Sequence, residues 1–89
     1  MRLIWMDRAW EDYLHWQAQD RDIQIKINTL IKDATRTPFS GLGKPEPLGG
    51  NLKGWWSRRI TGAHRLVYRV TSKGADQQLE ISQCRWHYE

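Results

Sequence analysis

The stretch WWSRRITGAHRLVYRVTSKGADQQLEISQCRW, residues 55–86, decides the fold. Residues 55–61, 65–71 and 79–86 are rich in β-branched and aromatic side chains and alternate in polarity, the pattern of half-buried strands. Turn-forming residues separate them, Gly62-Ala63-His64 first and then Ser72-Lys73-Gly74-Ala75-Asp76. Links that short favour antiparallel hairpins. Parity then decides what shares a face. Positions 57, 59 and 61 lie on one side of the first strand, and 65, 67 and 69 on one side of the second. A three-residue connection at 62–64 pairs Thr61 with Arg65 and Arg59 with Val67, which puts Arg59 and Arg65 on one face. A four-residue connection separates them.

Upstream, Leu3-Ile4-Trp5 is a short apolar run suited to a first strand. Asp7 is placed to cap a helix that carries Trp10, Tyr13, Leu14 and Ala18. Asp20 is placed to cap a second. There Ile23, Ile27, Leu30, Ile31 and Ala34 form one apolar stripe, the clearest amphipathic helix in the chain. Pro38 disfavours helix at Thr37, so the second helix ends near Arg36. Residues 38–54 hold all three prolines and five glycines and read as a loop. A loop of that length in so small a domain favours function, and it carries Lys44, Glu46 and Lys53. The expected order is β-α-α-β-β-β, an α+β fold with a helical hairpin on one face of the sheet. One domain is expected over residues 1–89, without repeats or low-complexity tracts.

A chain of 89 residues has a thin core, and six tryptophans supply aromatic bulk for it. The formal charge of +4 is unevenly placed. Residues 1–43 are neutral on balance, whereas residues 44–89 hold eight Lys/Arg against four Asp/Glu. The second half therefore carries a positive field that attracts polyanions, nucleic acid first among them. Cys84 is the lone cysteine, which excludes an intramolecular disulfide, and its apolar-alternating segment marks it as a small core residue. His15, His64 and His87 have no ligand-like spacing, so no metal or cofactor is expected. The longest apolar run, residues 3–6, is too short for a membrane span or signal core, so a cytoplasmic location is expected.

Grouped by chemistry, the polar residues of the second half suit RNA cleavage. Attack by a 2′-hydroxyl needs a base for its proton, cations for the pentavalent phosphorane, and an acid for the departing 5′-oxygen. A carboxylate, arginines and a histidine fill those roles without metal. Arginine suits the middle role because its planar fork can donate twice to phosphate. Glu46 is stiffened between Pro45 and Pro47, Arg59 and Arg65 are strand residues, and the last strand runs into His87-Tyr88, where Tyr88 offers a ring for base stacking.

Several motifs, in order, resemble the YoeB (Txe) branch of the RelE/ParE toxin superfamily, and the likeness spans essentially the whole chain. They are Leu-Ile-Trp at 3–5, Trp-Glu-Asp-Tyr-Leu-His-Trp-Gln at 10–17, Lys-Ile-Asn at 26–28, Leu-Ile-Lys-Asp at 30–33, Arg-Thr-Pro-Phe at 36–39 and Gly-Leu-Gly-Lys-Pro-Glu-Pro-Leu at 41–48. Trp-Ser-Arg-Arg-Ile-Thr at 56–61, His-Arg-Leu-Val-Tyr at 64–68 and Cys-Arg-Trp-His-Tyr at 84–88 complete the set. The resemblance implies a microbial-RNase-like, antiparallel-rich curved sheet. It implies the toxin of a type II toxin–antitoxin system that enters the ribosomal A site and cuts messenger RNA there. By matching positions, Glu46 would be the general base, Arg65 would stabilise the phosphorane with Arg59 assisting, His87 would be the general acid, and Tyr88 would orient the substrate. Lys44, Lys53, Arg58 and Arg85 would contact RNA. A YefM-like antitoxin partner is implied, and a homodimer is allowed. The sequence departs from the family after Pro-Glu-Pro-Leu, where Gly49-Gly50 replace a commonly basic position, removing a phosphate contact and loosening the loop that holds Glu46. Two other readings compete: a ParE-like inhibitor that binds gyrase, and a non-catalytic RNA-binding module.

Overall fold

The computed structural model describes residues 1–87. The element order is β1 (Arg2–Trp5), α1 (Asp7–Gln19), α2 (Arg21–Arg36), β2 (Glu46–Pro47), a 3-10 turn (Gly50–Leu52), β3 (Trp56–Arg59), β4 (Arg65–Lys73) and β5 (Asp76–Gln83). The strands form one sheet in the order β1-β5-β4-β3-β2. β1 runs parallel to β5 and the other pairs are antiparallel. The fold is α+β, as the sequence predicts, with one addition: the 38–54 loop contributes the two-residue edge strand β2. Pro47 lies in that edge strand, a place where a missing N–H is tolerated.

Asp20 makes the helical hairpin. Its backbone N–H donates to the Trp16 carbonyl at 2.9 Å and closes α1. Its carboxylate accepts from the Asp22 and Ile23 amides at 3.1 and 3.2 Å and opens α2. Asp7 does not cap α1. The N-cap is Met6, and Asp7 occupies the first turn, where its charge meets the helix N-terminus. Tyr13 ties the two helices, donating its hydroxyl to Asn28 Oδ1 at 2.7 Å.

The predicted stripe of α2 is buried through Ile27, Leu30, Ile31 and Ala34, with Ile23 packed at its margin. They meet Leu66, Tyr68, Leu79 and Ile81 on the inner face of the sheet. The inner face of α1 is different from the expectation. Ala9, Asp12 and Trp16 are buried there, while Trp10 and Leu14 are exposed. The phase is set by polar contacts: Asp12 accepts the Cys84 amide at 3.1 Å and Trp16 donates its indole N–H to the Cys84 carbonyl at 2.8 Å. Of the six tryptophans, only Trp16 is fully in the core, and Trp10 and Trp86 are exposed. Cys84 is a core residue, and burial pushes its thiol up to about 12, which makes it a poor nucleophile.

Arg58, expected to contact RNA, is instead fully buried. Its Nε donates to the Tyr68 hydroxyl at 2.9 Å. NH1 donates to Asp33 Oδ2 at 2.5 Å and the Leu42 carbonyl at 3.0 Å, and NH2 to the carbonyls of Thr37 and Ser40 at 2.6 and 2.9 Å. The Tyr68 hydroxyl in turn donates to the Pro38 carbonyl at 2.6 Å. A guanidinium engaged on every edge, with no solvent exposure, has no capacity for phosphate. The contacts hold the Asp33 carboxyl below its ordinary value, chiefly through the Leu42 amide and then Arg58. Gly43 permits this close wrapping. Its φ is +76°, and a Cβ there would lie 2.9 Å from Leu30 and 3.1 Å from Arg58.

Arg58→Ala is expected to destabilise the fold by roughly 3 kcal/mol or more, because the change strands the buried acceptors of the loop. Arg58→Lys should recover little, since one ammonium cannot reach acceptors on three sides. Thermal unfolding followed by circular dichroism checks both, and melting temperatures within a few degrees of wild type would contradict the assignment.

Candidate active site

The face of the sheet opposite the helices carries the site. In the register, Glu46 stands opposite Ser57, Ser57 opposite Val67, and Val67 opposite Gln83. Directly opposed residues share a face, so this row runs across four strands on one side. Arg59 stands opposite Arg65 in the neighbouring row. The connection between β3 and β4 is therefore five residues, 60–64, where three or four were considered. An odd count preserves parity, and the two arginines do share a face. The tighter expectation fails because residues 60–61 have already left the ladder: the Ile60 and Thr61 amides both donate to the His64 carbonyl, at 3.0 and 3.3 Å.

Lys44, Glu46, Ser57, Arg59, Arg65 and His87 line one cleft of about 220 Å³. Glu46 arrives from the edge strand β2, Ser57 and Arg59 from β3, Arg65 from the start of β4, and His87 from the segment after β5. Arg65 is half-buried and its NH1 donates to the carbonyls of Thr61, Gly62 and His64 at 2.7, 3.3 and 3.0 Å, which fixes its guanidinium plane. Lys44 has a φ of 53°, a left-handed conformation that costs a residue with a Cβ about 1–2 kcal/mol. Strain of this kind is commonly held where a side chain must be aimed. The peptide between Gly43 and Lys44 is pinned by the Arg59 amide, which donates to the Gly43 carbonyl at 2.7 Å.

Of the nine residues singled out from the sequence, five meet in this cleft: Lys44, Glu46, Arg59, Arg65 and His87. Tyr88 lies outside the described residues. Lys53 is exposed after the 3-10 turn and does not line the cleft. Arg85 is half-buried, its guanidinium 4.7 Å from the Trp86 ring and 6.0 Å from the Trp16 ring. Arg58 is in the core. Ser57, Gln83 and His64 were not singled out by the sequence reading. Their only signal is register, which a single sequence does not reveal. The Gly49-Gly50 segment is a hydrogen-bonded turn, with the amides of Leu52 and Lys53 donating to the Gly49 and Gly50 carbonyls at 3.1 and 3.2 Å. Gly50 has a φ of +59°, which suits glycine. Leu48, just before it, is buried and donates its amide to the Trp55 carbonyl at 2.9 Å.

The arrangement offers a carboxylate, three cationic groups and an imidazole around a pocket the size of a phosphate and its neighbours. Among the described residues, no group of three or more His, Cys, Asp or Glu is placed to hold a metal ion. No described helix is long and apolar enough to cross a membrane.

Comparison with known proteins agrees with this architecture. The family model described as "YoeB-like toxin of bacterial type II toxin-antitoxin system" matches residues 5–88. Toxin YoeB of Escherichia coli is 60% identical over 88 residues, covering 99% of this chain and all of the relative. The solved YoeB/ParE toxin of Agrobacterium tumefaciens superposes with a TM-score of 0.95 at 57% identity, covering 99% of this chain and all of that one. A heterotetrameric YoeB–YefM complex from Staphylococcus aureus contains a chain that superposes with a TM-score of 0.86 at 39% identity, covering 99% of this chain and 98% of that one. A family match over nearly the full length, joined to 60% identity with a full-length relative, fixes the assignment: this chain belongs to the YoeB-like toxins of bacterial type II toxin–antitoxin systems.

Proposed function

We propose that this toxin is an endoribonuclease that cuts messenger RNA in the ribosomal A site. The observation that carries the reading is the single cleft lined by Glu46, Arg59, Arg65, Lys44 and His87. Glu46 takes the proton of a ribose 2′-hydroxyl. The 2′-oxygen attacks the adjacent phosphorus while the bond from phosphorus to the 5′-oxygen breaks. Arg65, oriented by three carbonyls, and Arg59 opposite it stabilise the charge that builds on the phosphorane oxygens. His87 gives its proton to the leaving 5′-oxygen, and Tyr88 assists in orienting the substrate. The products are a 2′,3′-cyclic phosphate, or the 3′-phosphate formed from it, and a 5′-hydroxyl. Lys44 contacts the phosphate backbone at the cleft, and Lys53 and Arg85 contact RNA around it. The chain works as one domain, in the cytoplasm where ribosomes are, and needs no cofactor in this scheme.

A YefM-like antitoxin controls it in this reading. The solved YoeB–YefM complexes of the Staphylococcus aureus relative support such a partner, and its YoeB dimer supports self-association. An acidic segment of low intrinsic order suits the basic cleft electrostatically. Expression of this chain alone should arrest growth of a bacterial host, and co-expression of a YefM-type antitoxin should restore it. Normal growth with soluble wild-type chain present would reject the reading.

Arg65→Ala should lower single-turnover cleavage of translated messenger by about a hundredfold or more at saturating toxin, because the lost donor faces charge that develops in the transition state. Lys53→Ala should instead weaken ribosome association and flatten its dependence on salt, leaving the rate at saturation intact. An unchanged saturating rate for the Arg65 variant removes that residue from the chemistry.

His87→Gln keeps size and polarity but cannot deliver a proton at neutral pH, so cleavage should collapse while ribosome binding persists. Mapping the product ends supplies the companion measurement. Ends bearing 5′-phosphates, or wild-type cleavage by the variant, would exclude the acid–base roles given to His87 and Glu46.

A further inference from the structure

β5 ends at Gln83, and residues 84–86 carry the chain to His87 outside the strand ladder. A segment that leaves a sheet needs other partners for its backbone. Here those partners are largely side chains from distant elements. Asp12 accepts the Cys84 amide at 3.1 Å, Trp16 donates to the Cys84 carbonyl at 2.8 Å, and Arg8 reaches the Arg85 carbonyl at 3.4 Å. The Arg65 amide donates to the Trp86 carbonyl at 3.0 Å. The buried Gln83 amide nitrogen lies 3.1, 3.5 and 3.3 Å from the carbonyls of Arg85, Trp86 and His87.

The sharpest feature is Trp86. Its φ is 67°, a left-handed value that a bulky residue rarely adopts. Its amide donates to His64 Nδ1 at 2.7 Å. The His64 ring is held edge-on to Trp16, centroids 4.8 Å apart, and tilted against Trp86 at 5.2 Å. A histidine nitrogen accepts only when it carries no proton, so this contact requires the neutral ring protonated on Nε2.

We propose that His64, together with Gln83, is a positioning residue for His87: its Nδ1 accepts the Trp86 amide, holds the left-handed turn, and so aims the residue that follows into the cleft. The proposal rests on the reading of His87 as the general acid. His64 itself stays outside the set of cleft-lining residues and touches no reacting atom in that reading.

Charge around the ring favours the neutral form. Burial acts first, then Arg85 from the same turn, His15 from α1 and Arg65 from β4, all opposing a proton; Asp12 from α1 alone favours one. The ionisation of His64 is therefore pushed below the ordinary histidine value of 6.5. The sign follows. The unfolded chain takes up this proton first as pH falls below 6.5, so the contact's contribution to stability begins to decline there. It is lost once the folded ring also protonates, because Nδ1 then becomes a donor facing another donor.

The test compares three variants. The His64→Asn amide oxygen falls near the Nδ1 position, the His64→Gln oxygen reaches instead toward the Nε2 position, and His64→Leu has no acceptor. Melting temperature, amide hydrogen exchange at Trp86, and single-turnover cleavage at saturating toxin are measured for each. Loss of Trp86 protection is expected in the Leu and Gln variants, with cleavage slowed roughly ten- to a hundredfold through misplacement of His87. The Asn variant should retain most of both. Comparable folding of Asn and Gln keeps the contrast interpretable if the Leu variant unfolds. Equal loss in Asn and Gln, or unchanged Trp86 exchange in both Gln and Leu, would overturn the proposal. His87→Gln separates it from the reading beneath it: if that variant cleaves normally, the acid role fails, and the His64 contact is judged on Trp86 exchange alone. If His87→Gln is inactive while His64→Leu and His64→Gln cut at the wild-type rate, the positioning role fails and the acid role stands.

Discussion

One buried guanidinium organises the irregular segment between α2 and β2. Arg58 lies in the core with its charge intact, and such a charge is tolerated only when its donors are matched. The matching groups are Asp33 on α2, the Tyr68 hydroxyl on β4, and carbonyls at Thr37, Ser40 and Leu42. Three of the five acceptors are backbone oxygens of the segment between α2 and β2. The loop is thus drawn around a point charge rather than packed by apolar contacts. That geometry delivers Gly43 to the Arg59 amide, and residues 44–46 lead from there into β2.

Everything at the cleft is downstream of that constraint and of strand parity. Ser57, Arg59 and Glu46 reach the outer face because Arg58 takes the inner one. If Arg58 were on the outer face, its neighbours would turn inward and the cleft would lose both Arg59 and the partner row of Glu46. The sheet thereby sorts the two adjacent arginines into unrelated tasks, one structural and one at the surface. The Arg69–Glu80 pair continues the outer face at 2.5 Å, with the Arg69 guanidinium 4.4 Å from the Trp55 ring. Among the described residues, Arg58 and Arg69 are paired with Asp33 and Glu80, while Lys44, Arg59 and Arg65 gather at the cleft.

The parts of this fold that obey a simple period were legible in the sequence. The α2 stripe, the Asp20 cap, the existence of the three C-terminal strands and the buried Cys84 follow from spacing and residue type. The strand ends do not, because β4 and β5 pair through Lys73 and Asp76, where a longer turn was expected, and β5 ends at Gln83, short of the expected Trp86. The shared face of Arg59 and Arg65 was also legible as a conditional, because only the parity of the connection mattered. Features set by long-range polar contacts were not. The phase of α1 depends on Asp12 and Trp16 reaching Cys84, more than seventy positions away in the chain for Asp12. Arg58 and Arg59 are identical in type and adjacent, so nothing local says which one the core will take. β2 exists because the loop is pinned, and its two residues carry no strand signal. The left-handed backbone at Lys44 and Trp86 has no counterpart in composition, since neither residue prefers it.

The parallel pairing of β1 with β5 has a consequence for how the chain is made. Arg2 lies beside Gln78 and Trp5 beside Ile81, so the first strand synthesised must wait for the last before it has a neighbour. Contacts of such sequence separation carry a large loop-closure cost and slow folding. The helical hairpin, by contrast, is local and can form early. During synthesis the apolar side of α2 is exposed before β4 and β5 exist to cover it. The cleft is assembled later still, because Glu46 and His87 come from segments joined only through the finished sheet. A copy made only to the end of α2 thus has a helical hairpin and no site, since the cleft needs strands and segments that follow.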